Sequence, residues 1–257
     1  MEEKNIIFTV ESGGSLKGSL RVPGDKSISH RSIMLGSLAE GVTEVTGFLE
    51  GDDALATLHA FRDMGVEIEG PDNGRVLIHG VGMHGLKTPK APLNMGNSGT
   101  SMRLLSGLLC GQKFNTVLTG DDALSKRPMR RVTEPLAEMG AVIGTTEAGT
   151  APLSICGDQP MHGIDFTMPV ASAQVKSCLL LAGLYAEGVT SVTEPAPTRD
   201  HTERMLTGMG YAVSVSGNRI CLAGDGRLNG VQIEVPADIS SAAFFLVGAS
   251  IAAASEL

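Results

Sequence analysis

The chain repeats itself with a period close to seventy residues, and such a repeat confines the fold to copies of one supersecondary unit packed against each other. The word GDDAL stands at 51–55 and again at 120–124. Met-Gly followed by an apolar residue closes a helix-like stretch at Met64, Met139 and Met209. A third word agrees with these two. LRVPGDKSISHRSIMLGSLAEG, LNMGNSGTSMRLLSGLLCGQ and FTMPVASAQVKSCLLLAGLYAEG each read as a short strand, a small polar turn and an apolar helix ending at Gly41, Gly111 or Gly188. Those glycines are expected at the left-handed C′ position of a helix.

Between the words lie β-rich pieces, VTEVTGF, RVLIHG, NTVLTG, VTSVTE and NRICLAG. The pattern predicts an α/β fold of three βαβαββ units. The first helix of each unit is apolar nearly all round, as in VKSCLLLAGLYA, and such a helix is buried by its neighbours. Helices are therefore expected inside and sheets outside. A fourth unit begins at Ile233 with IEVPADISSAAFFLVGASIAAASEL and stops after one helix, so the chain reads as a portion of something longer; the alternative is a short protein whose last helix caps the core.

With 42% apolar residues and 19% charged, the composition is globular, and 257 residues suffice for a sizeable core. A net charge of −8 argues against nucleic acid, whose phosphates call for a basic face. The most apolar run, AAFFLVGASIAAA, is too short to span a bilayer, and MEEKNIIFTVESGG lacks the basic and apolar regions of a signal peptide. Cys110, Cys156, Cys178 and Cys221 form no C-x-x-C pair and have no His at metal spacing, which fits reduced thiols in a cytoplasmic protein. The six histidines show no ligand spacing, and no metal is expected.

PGDKSISHRS at 23–32 has a lysine and a serine at a helix start, but Asp25 separates Gly24 from Lys26 and no glycine stands where the motif needs its first one. It is not a nucleotide P-loop. A helix N-terminus nevertheless attracts anions through free N–H groups and the macrodipole. The basic residues gather at such turns: Lys26 and Arg31 in the first unit; Arg103, Lys126, Arg127, Arg130 and Arg131 in the second; Lys176 and Arg199 in the third. These are nine of the chain's twenty Lys and Arg, which suits a small ligand, or pair of ligands, with several negative charges. Gln174 in an apolar helix start needs polar partners. Ser27 and Ser172 could serve as N-caps, Pro128 as the first residue of a helix, and Asp52, Asp53, Asp121 and Asp122 as caps before helices.

GDKSISHR, GNSGTS-R, SKRP, ASAQVKS-LLLAGL and TRDHTE, in this order and spacing, closely resemble enolpyruvylshikimate-phosphate synthase, the shikimate-pathway family inhibited by glyphosate. The resemblance implies two globular domains of three βαβαββ units each. Residues 20–235 would form one domain, and 1–19 with 236–257 parts of an incomplete second. It implies transfer of the enolpyruvyl group of phosphoenolpyruvate to shikimate 3-phosphate with release of phosphate. No cofactor takes part, and a monomer is expected. Lys26, Ser27, Arg31, Ser172, Ala173, Gln174 and Arg199 match the shikimate-phosphate positions. Lys26, Asn97, Gly99, Arg127 and Gln174 match those for phosphoenolpyruvate, and Arg103 shapes their loop. Lys26 is the one catalytic match.

The Asp and Glu that the family uses for proton transfer, a neighbouring Lys and two further arginines lie in a stretch this chain does not contain, so the isolated chain is expected to be inactive. Leu104 stands where glyphosate-sensitive members commonly carry proline, while Gly99 would leave room for the inhibitor. Two alternatives remain: the related transferase acting on UDP-N-acetylglucosamine, which carries a cysteine where Asp122 stands, and a non-catalytic anion-binding module.

Overall fold

The computed structural model describes residues 8–9 and 13–257. Residues 1–7 and 10–12, assigned above with the rest of 1–19 to a second domain and as lacking a signal peptide, lie outside the described residues. The first unit contains α1 (Lys26–Leu38), β1 (Glu40–Thr46), α2 (Asp52–Asp63), β2 (Glu67–Asp72) and β3 (Arg75–Val81). The second runs β4 (Leu93–Asn94), α3 (Gly99–Cys110), β5 (Thr116–Thr119), α4 (Arg130–Glu138), β6 (Val142–Gly144) and β7 (Leu153–Cys156). The third is β8 (Asp165–Thr167), α5 (Ala173–Gly183), β9 (Val189–Thr193), α6 (His201–Gly208), β10 (Val213–Ser216) and β11 (Arg219–Ala223). The chain continues through β12 (Gln232–Glu234) and α7 (Ile239–Ile251).

Each unit forms one four-stranded sheet, ordered β12-β1-β3-β2, β4-β5-β7-β6 and β10-β11-β9-β8. Units two and three have the expected βαβαββ order. In the first, the strand expected at 20–22 does not form; β12 takes its place, parallel to β1 with Val45 opposite Ile233. The strand assigned to a fourth unit thus closes the first sheet. Alternation explains why it fits: Ile233 packs against the core while Gln232 and Glu234 are exposed.

The helices α1, α3 and α5 are the interior. α1 is buried from Ser29 through Leu38, α5 from Val175 through Gly183, and in α3 only Thr100 is not buried. Leu104, Leu105, Leu108, Leu179 and Leu180 have no exposed surface; burying each stabilises the fold by roughly 1.5–3 kcal/mol. α3 and α5 pack closely because Gly107 sets its backbone against the Cys178 carbonyl, leaving no space for a Cβ. By contrast α7 has no buried residue, and Phe244 is 82% exposed.

The helix ends differ from expectation in position. Gly65, Gly140 and Gly210, each directly after the C-caps Met64, Met139 and Met209, take the left-handed conformation (φ +87°, +94° and +89°). Gly41 and Gly188 also have positive φ but lie past the helix ends, at the strands, and Gly111 is right-handed at −83°. Pro128 precedes α4, whose N-cap is Met129, and does not begin the helix.

A buried polar chain fastens the first turns of α1 and α3. His30 Nδ1 lies 2.7 Å from Thr57 Oγ1, which lies 2.7 Å from Ser101 Oγ, and Ser101 donates to the N-cap Ser98 Oγ at 2.6 Å. Burial, against the smaller opposing attraction of Asp53 and with still smaller contributions from the charges of Arg31 and Lys26, lowers the His30 pKa to about 3. His30 is therefore neutral and structural.

Two predictions follow from this packing. Gly107→Ala should lower the urea unfolding free energy by about 2–3 kcal/mol through overpacking, whereas Gly208→Ala, whose Cβ would meet nothing within 4 Å, should change it by less than about 1 kcal/mol; equal midpoints would contradict the close approach. Because His30 binds its proton less readily folded than unfolded, stability should fall as pH drops below about 6.5, by about 2 kcal/mol at pH 5 from this group. His30→Asn should flatten that part of the stability–pH curve, and an unchanged slope would show that His30 is accessible.

Candidate anion-binding site

Three side-chain bridges show that the first turns of α1, α3 and α5 meet. His30 reaches Ser101, Arg31 Nη2 donates to Ser177 at 2.7 Å, and Gln174 Nε2 donates to Thr100 at 3.1 Å. Three helix N-termini thus share one place, with their dipoles adding to its positive potential. Asp25 caps α1 through the Ile28 amide at 2.8 Å, so Ser27 is left free of that role. Ser98 and Ser172 cap α3 and α5.

One group of expected residues lies at the start of α1. Lys26 is exposed, and its ammonium pairs with Asp53 at 2.7 Å. Arg199 approaches Ser27 Oγ at 3.5 Å. Arg31 differs from a free ligand-facing arginine: it is buried, and it donates to the Ser27 carbonyl, Thr202 and Ser177. Burial lowers its pKa to about 10, against the attraction of Glu203 and Asp25, so it stays charged at neutral pH while bracing units one and three.

A second group surrounds Gly99 and Gln174. Arg103 and Arg131 both donate to Gln174 Oε1, at 3.0 and 3.2 Å, which supplies the partners that a polar residue in an apolar helix start requires. Arg127 donates to Asn97 Oδ1 at 2.5 Å. A Cβ on Gly99 would stand 2.8 Å from Arg103 Nη1 and 3.1 Å from Arg127 Nη1, so glycine here lets two guanidinium groups close over the α3 terminus. Among the described residues, none of Arg103, Arg127, Arg131 and Arg199 has a carboxylate within 4.0 Å. Burial, then the charges of Arg131 and Arg127, lowers the Arg103 pKa to about 10. Packed cations without counter-charges form a place where an anion is stabilising. Ala173, between Ser172 and Gln174 at the start of α5, presents no polar side chain.

Other basic residues are not brought here. Arg130 donates to the Glu147 carbonyl. Lys176 is buried between Glu194 and Glu203, the latter at 2.6 Å. Glu194 also accepts from the Thr198 amide at 2.8 Å, so the buried ion group anchors the loop that carries Arg199. A cavity of about 820 Å³ opens beside that group, behind the loop, and a second of about 670 Å³ touches Arg131 and Ser172 at the edge of the cluster. The first is the larger but holds none of the unpaired arginines; the chemistry favours the arginine cluster.

Two carboxylates were expected to do no more than cap helices. Asp53 leaves α2 with Gly51 as its N-cap and no side-chain cap, and turns instead to Lys26. Asp121 accepts from the Leu124 amide at 2.7 Å, as a cap does, and also from Asn97 Nδ2 at 2.7 Å. The repeated GDDAL word was the signal for both. No group of three or more potential metal-ligating side chains occurs among the described residues.

The sequence profile of EPSP synthase (3-phosphoshikimate 1-carboxyvinyltransferase) matches residues 10–256. A 3-phosphoshikimate 1-carboxyvinyltransferase of Methylococcus capsulatus is 69% identical over 257 residues, covering all of this chain and 59% of that protein. One of Alkalilimnicola ehrlichii is 69% identical over 250 residues, 97% of this chain and 56% of that protein. The solved EPSP synthase from Acinetobacter baumannii superposes with a TM-score of 0.88 at 67% identity over 94% of this chain and 55% of that one. The chain thus spans a little over half the length of these relatives. On the match of its sequence and of its three-unit fold, the chain belongs to the EPSP synthase family.

Proposed function

We propose that this chain holds one wall of a two-substrate site at which the enolpyruvyl group of phosphoenolpyruvate passes to shikimate 3-phosphate. The observation that carries the reading is the set of arginines without counter-charges where three helix N-termini meet. Shikimate 3-phosphate would be held by Lys26, Ser27, Arg31, Ser172, Ala173, Gln174 and Arg199, and phosphoenolpyruvate by Lys26, Asn97, Gly99, Arg127 and Gln174. In the reaction a shikimate hydroxyl gives up its proton as its oxygen bonds to the enol carbon of phosphoenolpyruvate, and a proton adds to the methylene carbon, making it a methyl group. Phosphate and a proton of that methyl group then leave, restoring the double bond. Lys26, at the start of α1, would stabilise the dianionic phosphate as the C–O bond breaks, and its bridge to Asp53 sets where its ammonium stands.

Residues 20–235 would be one domain, and the remainder part of a second. The bridge between Lys17 and Glu256 and the unburied α7 support that division, because both segments pair with each other or stand apart from the three-unit core. A cytoplasmic monomer without a cofactor is part of this reading, and glyphosate would compete with phosphoenolpyruvate beside Gly99. No helix of the described residues is long and apolar enough to cross a membrane. The match to the EPSP synthase profile disfavours the UDP-sugar transferase, and family membership disfavours a module with no catalytic relatives.

Calorimetry on the 257-residue chain tests the reading. Shikimate 3-phosphate should bind, and Lys26→Ala with Arg199→Ala should weaken it at least about tenfold, since each lost charged hydrogen bond is worth about 1.5–3 kcal/mol; equal affinity would count against it. Turnover is expected to be absent, as the chain spans only 59% of the Methylococcus capsulatus enzyme. Gly99→Ala should weaken phosphoenolpyruvate by displacing Arg103 and Arg127 while sparing shikimate 3-phosphate. Loss of both ligands together would place Gly99 outside the phosphoenolpyruvate subsite.

A further inference from the structure

We propose that Asp121 is a positioning residue: it fixes the amide of Asn97, and through it aims the Arg127 guanidinium at the anion cleft. The proposal rests on the assignment of Arg127 to phosphoenolpyruvate above, and it concerns how that arginine is oriented before any ligand arrives.

Asp121 joins two separate segments. Its backbone N–H donates to the Gly96 carbonyl at 2.8 Å, which pins the turn after β5 to the loop before α3. Its Oδ1 accepts from the Leu124 amide at 2.7 Å and so shapes the 3₁₀ turn Leu124–Lys126 that leads to Arg127. Its Oδ2 accepts from Asn97 Nδ2 at 2.7 Å, and Asn97 Oδ1 in turn accepts from Arg127 Nη2. Capping accounts for Oδ1 alone. The second oxygen is committed to Asn97.

The order of donors and acceptors makes the chain directional. An asparagine amide has an N–H₂ end and an oxygen end, and a flip exchanges them. An ionised carboxylate can only accept, so Asp121 requires the N–H₂ end of Asn97 to face it. The oxygen end is then left for Arg127, which can only donate. Reversal would set the Asn97 N–H₂ against the guanidinium and its oxygen against a carboxylate, and both contacts would be lost. Asn97 and Asp121 are exposed, so these bonds add little to stability; what they supply is a single orientation for Arg127. The hydrogen bond from Asn97, followed by the Leu124 amide, holds the Asp121 carboxyl below its usual range, consistent with an acceptor that stays ionised at neutral pH.

Asp121→Asn separates this role from capping. Asparagine caps helices as well as aspartate does, so its oxygen can still serve the Leu124 amide. The atom facing Asn97 then becomes an N–H₂, and either Asn97 flips away from Arg127 or the cap is broken. Calorimetry should show phosphoenolpyruvate bound about tenfold more weakly, the usual effect of losing a hydrogen bond to a charged group, with shikimate 3-phosphate unchanged. Asp121→Glu, which keeps an acceptor-only group, should restore most of the affinity. Unaltered phosphoenolpyruvate affinity in Asp121→Asn overturns the proposal, as does equal weakening of both ligands, which would mark a structural role.

A readout that needs no ligand keeps this test separate from the functional reading. In ligand-free chain the Asn97 side-chain N–H₂ and Arg127 Nε–H resonances should shift in Asp121→Asn and return toward their original positions in Asp121→Glu. Unmoved Arg127 resonances overturn the proposal even if binding follows the functional reading. Failure of the unaltered chain to bind either substrate overturns that reading, and the resonances then decide the orientation of Arg127 alone.

Discussion

Everything in the site depends on α1, α3 and α5 meeting at their first turns. A helix N-terminus carries unpaired N–H groups and about half a positive charge, so bringing three together concentrates potential that nothing inside the helices offsets. The fold tolerates this because the helices below those turns are buried on every side and packed tightly at Gly107. The energy that holds the arrangement comes from apolar burial, and the polar first turns are carried with it. The result is a cleft in need of an anion, within a chain whose net charge is −8.

Two neighbouring ammonium groups are matched by carboxylates. Lys176 has two glutamates and Lys26 has Asp53, whereas Arg31 has neutral partners, two hydroxyls and a carbonyl. A buried lysine with both carboxylates gains little net stability over an apolar replacement, but removing one partner would leave an uncompensated charge. Its use here is positional: Glu194 reaches on to Thr198 and so holds the Arg199 loop beside Ser27. The arginines around Gly99 differ from those lysines. Their partners are neutral amides, which orient a guanidinium without cancelling its charge.

The repeat was legible because it is written in local chemistry: polar turns before apolar helices and Met-Gly words at helix ends. The Met-Gly glycines turned out to be the left-handed caps, whereas Gly41, Gly111 and Gly188 do not occupy the C′ position. Local pattern also could not tell that Ile233 closes the first sheet and not a fourth, since a three-residue strand carries no mark of its partner. The gathering of Lys26, Asn97, Gly99, Arg127, Gln174 and Arg199 at helix starts could be read from their repeat-equivalent places. The burial of Arg31 and Lys176 could not, because it depends on Ser177, Thr202, Glu194 and Glu203 from other turns. Asp53 and Asp121 looked like caps for the same reason; the partner of Asp53 and the second partner of Asp121 lie 27 and 24 residues away.

The central claim is that an anion is drawn to one cluster of arginines and not to basic residues in general. Side-chain Nε–H resonances of all arginines, followed while phosphoenolpyruvate is added in the presence of shikimate 3-phosphate, test it most directly. Saturable shifts confined to Arg103, Arg127 and Arg131, with Arg204 and Arg227 unmoved, are the predicted result. Uniform shifts across both sets, or none in the cluster, would contradict the account.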